Sequence, residues 1–219
     1  MVGIKLVMGG TSMDESELVI GITEDLFNVK LPNSYLLKYY EDLEHRTFWI
    51  SDEINDDLMY ELSHYIIKWN REDKDIPEMD RKPIYLLINC QGGDLDAYAS
   101  ICSMIELSKT PVIGVAMGLV ASAASLIYLS CHARFALKSS YFILHKGSAA
   151  LSGDFDNIMN SIDDYKREVE KMANHILEHS NYTREEVESH IGRDWYIRAP
   201  EALEKGLVDQ IITDINILL

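Results

Sequence analysis

The chain has 219 residues, 47% of them apolar and 26% charged, the balance of a globular domain with one full core. Its formal net charge is −16 with Lys and Arg scattered, which excludes the basic patch that a nucleic-acid partner needs. Three cysteines (Cys90, Cys102, Cys131) have neither paired nor metal-type spacing and read as free thiols, and the first residues lack a secretory pattern, so the expected location is cytoplasmic.

Residues 1–33 mix Gly, Ser, acidic residues and short apolar runs, and read as an N-terminal arm ordered only against a partner. The rest, 34–219, reads as one domain. Residues 47–50 form a short strand. Over 56–70 the apolar positions Leu58, Leu62, Tyr65, Ile66 and Trp69 mark an amphipathic helix, and 71–82 is a charged loop. The run IYLLIN at 84–89 is a strand buried on both faces, closed by the turn Cys90-Gln91-Gly92-Gly93. A helix over 95–107 and a strand over 112–117 follow. This strand–helix alternation predicts a parallel sheet covered by helices, with ligands at the carboxyl ends of the strands.

No charged residue interrupts 111–131, but Gly114, Gly118, Ser122 and Ser125 lie inside it, against a membrane span. Gly118 is expected to break the strand and 121–129 to be helical. Ser122 then stands at a strand-to-helix turn among small residues. The apolar run 141–144 delivers His145 at its end, so a nucleophile and a base stand at the ends of two strands. A long helix is predicted over 154–179, about 39 Å at 1.5 Å per residue and longer than a core of this size needs. Thr183 with Glu186 makes a capping box for a short helix to residue 191. Pro200 opens another, which Gly206 closes before a strand at 207–212. His175 and His179 are one helical turn apart. With no third ligand in view they read as a solvated face, and neither a metal nor a cofactor is expected.

Five segments in order resemble the proteolytic subunit of the Clp protease family, self-compartmentalised serine peptidases, over residues 43–214. LEHRTFWISDEIND is similar to the family's first strand and turn, and IYLLINCQGGDLDA to its Y-L-x-I-N-S-P-G-G. GLVASAAS stands where the family has G-Q-A-A-S-M-G, and ILHKG where it has M-I-H-Q-P. RDWYIRAPEALEKGLVDQIIT resembles R-D-x-F-x-S-A-P-E-A-x-E-Y-G-L-V-D-x-I.

The resemblance implies an α/β fold, a spiral of βαβ units shared with crotonase-like proteins, from which the long helix projects as a handle. It implies Ser122 as nucleophile, His145 as general base, and the backbone N–H groups of Gly93 and Ala123 as the oxyanion hole. Substrate would lie extended between Gly93, Asp94 and Leu95 on one side and Lys146, Gly147 and Ser148 on the other, held by strand addition. It further implies a homo-oligomer of two stacked seven-membered rings, a tetradecamer, that hydrolyses unfolded polypeptides and is fed by an ATP-driven unfoldase. Neither a membrane nor nucleic acid is a partner.

The departures from the family pattern bear on the chemistry. The family's third catalytic residue, an Asp, falls on His190, and the Arg before it on Ser189. A neutral imidazole can accept the base's N–H, so Ser122–His145–His190 is the expected triad, with Asp194 as rival orienter. Cys90-Gln91 replaces Ser-Pro, Ala124 replaces Gly, and Asp52 stands where the family has Gly. The alternative function is a catalytically weak or silent subunit with a structural role in a mixed complex.

Overall fold

The computed structural model describes residues 18–22, 26–31, 33–148 and 152–218. The described residues fall into two compact units, one up to Thr47 and one from Phe48 onward. Part of the predicted N-terminal arm lies outside the described residues. In the rest of it, strand β1 (Leu18–Ile22) pairs antiparallel with β2 (Leu26–Leu31). Helix α1 (Ser34–Glu44) follows, opened by the Asn33 side chain accepting from the Leu36 N–H.

The second unit carries strand β3 (Thr47–Ile50), whose last residues enter it, and helix α2 (Asp56–Glu72), capped by Asn55. The burial of Leu62, Ile66 and Trp69 on α2 follows the predicted stripe. Strand β4 (Ile84–Cys90) is buried at Ile84, Leu86 and Ile88, and helix α3 (Leu95–Leu107) starts from Asp94, whose carboxylate accepts the Asp96 and Ala97 N–H groups.

Strand β5 (Val112–Ala121) runs through Gly118 to Ala121, correcting the expected break. The glycine leaves room for Asn89, since a Cβ there would meet its Oδ1 at 2.6 Å. The Asn89 side chain accepts the Leu119 N–H where the β4–β5 register slips. Helix α4 (Ala123–Leu129) therefore starts two residues later than expected.

Two strands that share one edge of β5 set the site. Strand β6 (Ala133–Leu137) pairs parallel with Ile113–Ala116 of β5, and strand β7 (Tyr141–Leu144) pairs parallel with Leu119–Ala121. At the handover the buried Ser140 hydroxyl donates to the Ala116 carbonyl, so the acceptor is not left unpaired. Tyr128 fixes α4 on this sheet, donating from its hydroxyl to the Phe135 carbonyl and packing on Phe142.

Helix α5 (Phe155–Glu178) is capped by Asp154, close to the predicted bounds. Its fully buried residues are Met172, Ala173 and Ile176, all in the last turns, while Phe155 at its start is 76% exposed. Helix α6 (Arg184–His190) has the predicted capping box, Thr183 with Glu186. Strand β8 (Trp195–Arg198) pairs antiparallel with β7, helix α7 (Ala199–Glu204) carries Pro200 in its first turn, and strand β9 (Gln210–Ile212) pairs parallel with β6. The sheet order is β3-β4-β5-β6-β9, with β7 and β8 continuing from the second half of β5. Among the described residues no helix is long and apolar enough to cross a membrane.

Candidate active site

Ser122 follows the last residue of β5 and caps α4 with φ 55° and ψ −128°, a backbone shape that costs a side-chain-bearing residue energy. It lifts the side chain off the sheet at a sharp strand-to-helix turn. The strain is held by a hydrogen bond from the Ser122 N–H to the Ile143 carbonyl, 2.8 Å away in β7. Because Ala121 is in register with Ile143, Ser122 and His145 emerge at the same ends of adjacent parallel strands. Among the described residues, no hydrogen bond joins Ser122 Oγ to His145 in this conformation. Such bonds are often long before substrate arrives.

The glycine turn closes the other wall. Gly92 has φ 105°, and a Cβ there would lie 2.7 Å from Cβ of Ser122 and 3.2 Å from the Ala123 nitrogen. Gly93 has φ 156°, and its Cβ would collide with the Ile54 carbonyl at 2.2 Å. The Gly92 carbonyl accepts the Ile54 N–H at 3.0 Å, so across a trans peptide the Gly93 N–H points away from Ile54. The Ala123 N–H belongs to the unpaired first turn of α4. A cleft of about 540 Å³ beside the turn is lined by Ser51, Asp52, Glu53, Gln91, Gly92 and Gly93. Cys90 lies beneath it, its thiol pushed up by burial.

His145 Nδ1 stands 3.2 Å from Oδ1 of Asp194, with the ring 30% and the carboxylate 58% exposed. The carboxylate beside His145 is thus that of Asp194, the rival to the expected His190. His190 ends α6, where its Nδ1 is 2.7 Å from the Glu186 carbonyl and 2.9 Å from Ser189 Oγ. Its ring stacks on Trp195 at 4.7 Å. A carbonyl only accepts, so Nδ1 of His190 is protonated and committed to its own helix. Asp194 is delivered instead by the turn between α6 and β8, and Trp195 beside it pairs with Leu144, the residue before His145.

The expected substrate residues divide. Asp94 spends its N–H on the Ile54 carbonyl at 2.8 Å, and Leu95 is the first helical residue of α3, not part of an extended run. Lys146 donates to the Ile191 carbonyl at 2.9 Å, and the Tyr165 hydroxyl of α5 lies 2.8 Å and 3.1 Å from the Lys146 and Gly147 carbonyls. Gly147 and Ser148 continue in non-helical backbone with Ser148 exposed. Sequence reasoning missed Tyr165, because nothing in its position along the long helix points to a contact with residues 146–147.

The Clp protease family model matches residues 33–214. The "ATP-dependent Clp protease proteolytic subunit 2" of Treponema denticola is 35% identical over 136 residues, 59% of this chain and 66% of that one, so the match spans just under two thirds of that relative. The protein of the same description in Rhodococcus jostii is 29% identical over 178 residues, 80% of this chain and 88% of that one. A solved structure of a ClpP1 mutant from Listeria monocytogenes superposes with a TM-score of 0.71 at 27% identity, covering 83% of this chain and 99% of that one. A matched stretch of this length, with the same fold, means that the chain belongs to the Clp protease family.

Proposed function

We propose that the chain is a serine endopeptidase whose nucleophile is Ser122 and whose general base is His145, with Asp194 as the residue that positions the base. The observation that carries this reading is the contact between His145 Nδ1 and the Asp194 carboxylate at 3.2 Å. The carboxylate accepts from Nδ1–H, which fixes the tautomer and leaves the lone pair on Nε2 to take the Ser122 proton. Rotation of the Ser122 hydroxyl toward Nε2 would complete the relay. Attack on the peptide carbonyl places negative charge on its oxygen. The Gly93 and Ala123 N–H groups, free of competing side chains, receive it. His145 then protonates the leaving amine, and water repeats the cycle on the acyl-enzyme.

The same reading includes assembly. The apolar side chains at the start of α5, Phe155 and Met159, are 76% and 41% exposed and need a cover. Two stacked seven-membered rings, interlocked through α5, supply it and enclose the sites. Unfolded polypeptides then reach them with the help of an ATP-driven unfoldase in the cytoplasm. The test is labelling with a fluorophosphonate probe and light scattering on the same sample. Labelling of Ser122 in a particle far above the monomer mass is expected. A large particle that never labels between pH 5 and 9 replaces this reading with that of a silent structural subunit.

A further inference from the structure

The C-terminal turns of α5 meet the ends of α3 and α4 in a cluster that the peptidase chemistry does not use. His175 and His179 are one turn apart with ring centroids 4.3 Å from each other. Glu106, the penultimate residue of α3, completes a group in which one ligand atom from each residue lies within 4.8 Å of the others. We propose that Glu106, His175 and His179 bind a zinc ion that clamps the base of α5 to the body of the domain.

Three observations support this. First, the ring tautomers are set. Nε2 of His175 lies 3.0 Å from the Leu126 carbonyl and Nδ1 of His179 lies 3.0 Å from the His175 carbonyl. A carbonyl only accepts, so each ring donates one N–H and keeps a lone pair on its other nitrogen. Histidines that bind metals are oriented by this kind of N–H to carbonyl bond. Second, His175 and His179 are both half-buried, so an ion held between them is partly shielded from water. Third, two imidazoles and one carboxylate form a three-ligand zinc set, whereas calcium and magnesium take oxygen. Ligand atoms at zinc bond lengths sit roughly 3.3 Å apart, so the cluster need contract by no more than about 1.5 Å to close on the ion. Glu106 is exposed and free to make that move. Ser130 Oγ lies 3.3 Å from Glu106 Oε1 and 3.2 Å from His175 Nε2, the nitrogen that donates to Leu126, so His175 would ligate through Nδ1, with solvent as a fourth ligand.

The clamp would act where α5 is anchored, since its buried residues Met172, Ala173 and Ile176 lie in the same C-terminal turns as His175. Through Leu126 and Ser130 it also grips the helix that Ser122 opens.

The experiment uses the full chain stripped with a chelator. Zinc ion alone is titrated in competition with a chromophoric chelator, cobalt(II) is added separately for its visible spectrum, and the melting temperature is read with and without zinc. One equivalent per chain, an intense tetrahedral cobalt band and a rise in melting temperature are expected. Glu106→Gln and His179→Ala, neither at a fully buried position, should each weaken zinc at least tenfold and abolish the rise while melting like the parent in chelator. The proposal is overturned if both variants bind zinc as the parent does, or if the parent binds no more than loosely through its many surface carboxylates. Peptide hydrolysis is not the readout, so failure here leaves the peptidase reading intact.

Discussion

His145 Nδ1 and Asp194 Oδ1 are 3.2 Å apart, and the carboxylate enters from the turn that follows α6, four residues beyond the position at which the family pattern expects an acid. Asp194→Asn keeps the shape but offers an amide N–H to Nδ1, which favours the wrong tautomer. We expect kcat on a small peptide to fall about 10⁴-fold with KM little changed. His190→Ala should leave kcat within about twofold and act on stability alone, by losing the stack on Trp195. Steady-state kinetics on both variants decide the matter. A dead His190→Ala beside an active Asp194→Asn would reverse the assignment.

The Ser122 backbone at φ 55° and ψ −128° allows the chemical role proposed for this residue to be separated from its structural one. Ser122→Ala should abolish fluorophosphonate labelling and leave assembly unchanged, because the residue loses one oxygen and keeps its Cβ. Ser122→Gly should also be inactive, yet more stable to unfolding than Ser122→Ala by about 1 kcal/mol, since glycine adopts this conformation without strain. Equal stability of the two variants would show that the turn is not strained.

Much of this was legible in the sequence, and the reasons differ by element. Strands β4 and β7 and helices α2, α3 and α5 declare themselves through uninterrupted apolar runs or through three- and four-residue spacing. Both Ser122 and His145 follow apolar strands directly, so their placement needs only local reading. The end of β5 was misread because Gly118 looks like a breaker, whereas its role is to admit the Asn89 side chain from the neighbouring strand. Strand β8 is four residues long, and its sequence, Trp-Tyr-Ile-Arg, means little until β7 is beside it. Alignment by counting led to His190 because it cannot see that this side chain folds back on Glu186. Glu106 is 69 positions from His175, and only the packing of α3, α4 and α5 brings them together.

The glycines of the site differ in what they tolerate. At Gly93 an added Cβ would come within 2.2 Å of the Ile54 carbonyl and 2.6 Å of its nitrogen, both rigid backbone atoms. Gly93→Ala should therefore cost about 2–4 kcal/mol of stability and remove most activity. Gly147, at φ 77° with nothing within 4 Å of its Cβ position, should cost only about 1 kcal/mol on change to Ala. Urea denaturation of the pair tests this. Equal losses would mean that the Gly93–Ile54 approach is not what requires glycine there.

The last prediction concerns acid. His175 faces the Leu126 carbonyl and Ser130 of α4, His179 and Glu178 of its own helix, and Glu106 of α3. Burial, the largest influence, and the nearby His179 hold its basicity below the ordinary value, while the carbonyl and the two carboxylates oppose them. The unfolded chain therefore takes up a proton near pH 6.5 that the folded chain refuses. Stability from this group is complete above about pH 6.5 and is lost as the pH falls from there through the lower folded value. Urea midpoints measured in chelator should be level from pH 8 to 7 and decline between about 6.5 and 5, before most carboxylates titrate. His175→Gln keeps a side-chain N–H for the Leu126 carbonyl but cannot be protonated in this range, so its midpoint should be lower at pH 7.5 and flatter below 6.5. If the variant declines as steeply as the parent, the acid sensitivity belongs to other histidines and not to the buried one at the base of α5.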